Sequence, residues 1–198
     1  MHGRRNPFVA QEGLPLLIAA LAVAILLIRY SDPWFALAPM AVFVLLYLVF
    51  RDPKRSMSSV ALGVVSPVDG EVLEAGAIES GDMGPGALRV VIAVDSLGTY
   101  TARSPVEGII KDLGSKAMWL QTDEGVDVTL KFRGHRLGLA PKAFGRFGER
   151  LGQGQRCAYL RLTRIAEVQW PDNGKLAVEV GQTVRAGIDL IGAVPSPR

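Results

Sequence analysis

Two apolar runs dominate the N-terminal part of the chain: LPLLIAALAVAILLI from Leu14 to Ile28 and PWFALAPMAVFVLLYLVF from Pro33 to Phe50, separated by RYSD. Each is about long enough to cross a hydrocarbon core of ~30 Å at 1.5 Å per residue, toward the short end of the range. A signal peptide fits poorly, because a second apolar run follows at once with no small-residue cleavage pattern between them. A buried core hairpin is the other alternative. The pattern predicts a two-helix transmembrane hairpin over residues 1–50. After a linker, residues 51–63 with the polar stretch SMSS, the texture changes. VALGVVSPVDGEVLEAG, LRVVIAV, VDVTLKF, IAEVQW and KLAVEV are short β-branched runs broken by Gly, Pro, Asp and Asn. Such runs, with turn signals between them, predict an all-β, barrel-sandwich-like domain over residues 64–194.

Within that domain, Asn173-Gly174 between IAEVQW and KLAVEV predicts a hairpin with a type I′ turn, its strands within Ile165–Trp170 and Lys175–Val180. GQTVRAGIDLIGAV, from Gly181, has the Gly-x-x-Val-x-x-Gly rhythm of lipoyl-like strands. One phrase occurs twice: SPVDG from Ser66 and SPVEG from Ser104. Each supplies a proline-fixed bend, an acid able to bond its own backbone and a glycine for left-handed geometry. The repeat predicts related corners of one pseudo-symmetric β domain, with Asp69 and Glu107 as the corner acids.

Hydrophobic residues make up 49% of the 198, an excess located mainly in the two N-terminal runs. Arg4 and Arg5 precede the first run, and Arg51, Lys54 and Arg55 follow the second, whereas the connection holds only Arg29 against Asp32. The positive-inside bias places both termini and the β domain in the cytoplasm, at the cell's inner membrane. The single cysteine, Cys157, has no intrachain disulfide partner and reads as a small core residue. A net charge of +3 gives no reason to invoke nucleic acid, and no metal site is expected. From Arg133 to Arg156 the chain is basic and glycine-loosened, with Phe144 and Phe147 interspersed. Arg133, Arg136, Lys142, Arg146 and Arg150 are candidate contacts to anionic phospholipid; the plainer reading is a solvated loop.

FRDPKR (Phe50 to Arg55), directly after the second run, and VVSPVDGEV (Val64 to Val72) resemble the start of the short-form phosphatidylserine decarboxylases. EGLPLLI, RSPVEG and RLTRIAEVQWP keep that family's order, so the resemblance covers nearly the whole chain. It implies an enzyme that cuts itself at a Gly-Ser bond, converts the serine to a pyruvoyl group and decarboxylates phosphatidylserine to phosphatidylethanolamine. An Asp and a His assist the cleavage in that family. Carried onto this chain, Asp69 occupies the acid position, but Tyr100 stands where the histidine is expected, and Thr163 and Arg164 stand over the glycine and serine. Tyrosine ionises near pH 10, and arginine cannot become a pyruvoyl group, so no such cofactor is expected. Thr163 could attack only after a register slip. Gly114-Ser115 reads as a turn, and His135 as a solvated loop residue. Three readings stay open: a degenerate, non-processing family member in contact with membrane phospholipid such as phosphatidylserine; an active decarboxylase with unorthodox processing; and a membrane-anchored β adaptor.

Overall fold

Leu14–Tyr30 forms helix α1 and Leu37–Phe50 forms α2, each entered through a short 3-10 turn, Gln11–Gly13 and Pro33–Ala36. In the computed structural model, residues 8–53, 55, 60–79, 81, 83–113, 117–134 and 141–195 are described. Pro15 and Pro39 sit in first turns, where the missing N–H has no helical partner to lose. The helices form an antiparallel pair whose open end is tied by Ala10 N donating to Phe50 O and Asp52 N donating to Phe8 O. Gly13 permits that closure, since a Cβ there would lie 2.3 Å from Phe50 Cγ. Both helical segments, Gln11–Tyr30 and Pro33–Phe50, are long and apolar enough to cross a membrane.

The chain divides into two compact units, Met1–Lys54 and Arg55–Arg198. Among the described residues, the regular structure of the second is antiparallel β. Its strands are β1 Gly63–Val65, β2 Gly70–Ala77, β3 Leu88–Val94, β4 Thr101–Arg103, β5 Gly108–Leu113, β6 Ala117–Gln121 and β7 Asp127–Arg133. They continue as β8 Lys142–Ala143, β9 Arg150–Leu151, β10 Arg156–Tyr159, β11 Ile165–Trp170, β12 Lys175–Leu176, β13 Thr183–Val184 and β14 Leu190–Ala193. Among the described residues, one sheet of eight strands runs β13-β2-β3-β11-β7-β6-β5-β9, and two sheets of three run β1-β14-β12 and β4-β10-β8. Alternation supplies the core: in β6, Met118 and Leu120 are buried while their neighbours are half-covered. Ile92, Ile110, Leu130 and Trp170 are fully buried with them, each such side chain contributing about 1.5–3 kcal/mol of transfer free energy. Cys157 lies in this core.

The two corners are related by a local two-fold. Val65 N donates to Pro105 O and Arg103 N to Pro67 O, both at 2.8 Å. Ser66 Oγ donates to Val68 O and Ser104 Oγ to Val106 O, both at 2.7 Å. Gly187 N reaches Ser66 O and Gly154 N reaches Ser104 O, both at 2.8 Å, and both glycines have φ +71°. The corner glycines themselves do a different job from the one expected. Gly70 and Gly108 are not left-handed; a Cβ would lie 1.9 Å from Ala93 O at Gly70 and 2.4 Å from Gln121 O at Gly108. They are glycine because a neighbouring strand's backbone passes too close for any side chain.

The Asn173-Gly174 hairpin is also corrected. A turn is present, with Gly174 N donating to Pro171 O, but neither residue has a positive φ. β11 is already flanked by β3 and β7, so β12 is diverted to β14. Gly174 instead clears space for the buried Trp170, whose ring also presses on Gly192.

Candidate functional site

Asp69 closes the first corner and is almost wholly buried. Arg55 grips its carboxylate in a fork, Nη1 to Oδ1 at 2.5 Å and Nη2 to Oδ2 at 2.8 Å. Backbone N–H groups complete the shell: Ala186 N donates to Oδ1 at 2.8 Å and Thr99 N to Oδ2 at 2.9 Å. Burial alone would raise the Asp69 pKa, but the Arg55 guanidinium and the two amides outweigh it and hold the carboxyl below its ordinary range. A second pair, Arg185 with Asp189, lies close enough for its charges to be felt by the first. Gly98 is the contact that seats the carboxylate, since a Cβ there would meet Asp69 Cβ at 2.7 Å.

Tyr100 follows Thr99 directly. Its ring packs against Tyr159 at 5.7 Å, and Tyr159 meets Phe144 edge-on at 4.3 Å. Tyr100 O accepts from Leu160 N, which opens the turn carrying the remaining two candidates. In that turn Arg161 and Leu162 both have left-handed φ, 48° and 65°, and Thr163 N donates back to Leu160 O at 3.0 Å. Thr163 is buried, and its hydroxyl also donates to Leu160 O. Arg164 is exposed; its carbonyl accepts from Val94 N, while Asp95 N donates to Asp69 O. A closed circuit of backbone hydrogen bonds thus brings Asp69, Tyr100, Thr163 and Arg164 to one end of the large sheet.

The residue types in that circuit do not fit a pyruvoyl centre. The Thr163 hydroxyl points at a carbonyl rather than at a base, Arg164 has no hydroxyl to convert, and the Asp69 carboxylate is saturated by Arg55 and two amides. Sequence reasoning missed Arg55 as a site residue, although it is the last residue of FRDPKR. It also missed Glu167, buried in β11 and held by Arg133 and Gln169.

The basic segment is more divided than its composition implies. Arg133 is paired with Glu167, and Arg150 bridges Glu107 and Asp123. Lys142 and Arg146 are exposed, whereas Arg136 and His135 lie outside the described residues, as does Gly114-Ser115. Phe144 is engaged by Tyr159, leaving Phe147 as the exposed ring. Arg150 makes the second corner the electrostatic counterpart of the first, an arginine on each corner acid. Glu107 and Asp123 also border a cavity of about 360 Å³ together with Leu62, Val106 and Gln153.

No family model matches the chain. The phosphatidylserine decarboxylase proenzyme of Nitrosomonas europaea is 29% identical over 203 residues, covering 91% of this chain and 93% of its own length. That of Nitrosomonas eutropha is 28% identical over 201 residues with the same coverage. The proenzyme of Aromatoleum aromaticum is 24% identical, over 96% of this chain and 97% of its own. Among solved structures, glucose permease IIA from Mycoplasma capricolum superposes with a TM-score of 0.50 at 20% identity, over 66% of this chain and 94% of that one. That likeness is one of fold alone. Along nearly its whole length the chain is similar to the phosphatidylserine decarboxylase proenzymes.

Proposed function

We propose that the protein is a membrane-anchored relative of the phosphatidylserine decarboxylases that remains one uncut chain, forms no pyruvoyl group and contacts phospholipid without decarboxylating it. The observation that carries this reading is the state of Asp69. A carboxylate that is to orient a base needs a free lone pair toward that base. Here Arg55 and two amides occupy it, and tyrosine stands where a histidine is expected. Without a covalent carbonyl to accept electrons, nothing at the site lowers the barrier to carbon dioxide loss.

Membrane attachment is part of the same reading. Ile18, Ile25 and Leu45 on α1 and α2 are each more than half exposed, and surfaces of that kind are stable against lipid rather than water. The arginines outside both helices favour a two-pass hairpin with the β domain in the cytoplasm. The test is carbon dioxide release from carboxyl-labelled phosphatidylserine by the full chain in detergent micelles. The expected release equals that of a heat-denatured control. Release that is abolished by a carbonyl reagent would overturn the proposal in favour of an active enzyme.

A further inference from the structure

We propose that the cavity at the second corner is a binding site for a small organic cation, a guanidinium or ammonium head on a short alkyl arm. The cavity, of about 360 Å³, is graded from floor to mouth. Val106 and Val194 are buried and Leu62 is half-buried, whereas the Glu107 and Asp123 side chains are half-exposed and Glu124 is exposed. An aliphatic floor under a carboxylate rim suits a ligand with an apolar body and a cationic head. Gln153 fixes one wall. Its Oε1 accepts from Val60 N at 2.8 Å, and its Nε2 donates to Val60 O at 3.2 Å and to Gly63 O at 2.6 Å.

The local two-fold shows what this place accepts. Gly154 on Ser104 matches Gly187 on Ser66, so Gln153 stands where Ala186 stands and Glu107 where Asp69 stands. At the first corner a cation lies between those two positions: Arg55 Nη1 donates to Asp69 Oδ1 at 2.5 Å and reaches Ala186 O at 3.4 Å, carried on its own alkyl stem. At the second corner the matching residues, Glu107 and Gln153, border the cavity instead, and among the described residues no lysine or arginine lines it. Arg150 ties Glu107 to Asp123, but one guanidinium against three carboxylates leaves negative charge in excess. A cationic head there gains the charge-assisted bonds that Arg55 makes at the first corner. The site is separate from the positions that the resemblance assigns to self-processing. Gln121 pairs with Asp127 where β6 turns into β7 beside the cavity, whereas Arg133 pairs with Ile165 at the other end of β7. Binding there is therefore independent of whether the chain is cut.

The full chain, with isotope-labelled valine and leucine methyl groups, is reconstituted into nanodiscs and titrated by NMR with n-butylguanidinium, n-butylammonium, the neutral isostere n-butylurea and N-acetylarginine amide. The expected result is saturable shifts at Val60, Leu62, Val106 and Val194, with n-butylurea binding about threefold or more weakly than either butyl cation and the difference shrinking with salt. Glu124→Gln should weaken n-butylguanidinium about threefold. Glu179→Gln, the same loss of charge at an exposed acid beside β2, should leave it unchanged. Unshifted methyl signals outside the cavity verify that both variants keep the fold. N-acetylarginine amide binding as well as n-butylguanidinium assigns the head to an arginine side chain; binding of n-butylguanidinium without the amide assigns it to a free small molecule. Equal binding of n-butylurea, equal weakening by Glu179→Gln, no weakening by Glu124→Gln, or no saturable shift at the cavity methyls overturns the proposal.

Discussion

Arg55 and two backbone amides hold the Asp69 carboxylate, and its linkage to stability has a definite sign. Its folded pKa lies below the ordinary value of 3.8, so its contribution is present above that pH and is lost as pH falls through the folded value. Asp69→Asn leaves a largely covered guanidinium unpaired, and we expect a loss of about 2 kcal/mol at neutral pH with a shallower acid limb in thermal melts. An unchanged melting temperature together with a lost lipid activity would refute the structural role. Leu162 supplies the opposite case. Leu162→Gly relieves a left-handed leucine and should stabilise the detergent-solubilised protein by about 1 kcal/mol. A fall in stability would mean that the side chain packs within the fold after all.

The corners dominate at the level of elements. The two serines make the same hydrogen bond at the same distance, so Ser66→Ala and Ser104→Ala should each cost about 1 kcal/mol, equal within error. Gly70→Ala and Gly108→Ala drive a methyl into a neighbouring strand's carbonyl and should prevent folding, read as loss of a cooperative melt. Much of this was legible in the residues: the repeat announced two related corners, and alternation announced the strands between them. What escaped was the cause behind each glycine. Local turn chemistry assigns Asn173-Gly174 a type I′ hairpin, whereas its glycine answers to Trp170 and the carbonyl of Ala193, contacts that only the assembled sheets create. Arg55 escaped for the same reason, because nothing local to FRDPKR names Asp69 as its partner.

For the molecule as a whole, the question is whether a chain similar to the phosphatidylserine decarboxylase proenzymes carries out any self-processing. The end of the large sheet still brings the four expected positions together, held by backbone bonds that do not depend on side-chain identity. Tyr100→His, Thr163→Gly and Arg164→Ser combined should therefore restore some cleavage; persistent integrity of that triple variant would mean that the Arg55 grip on Asp69 also has to be released. The most direct measurement is the intact mass of the purified, unsubstituted chain under denaturing conditions. One species at 21.3 kDa is expected. Two fragments, the C-terminal one starting at residue 163 or 164 with a 2-oxoacyl group, would contradict it.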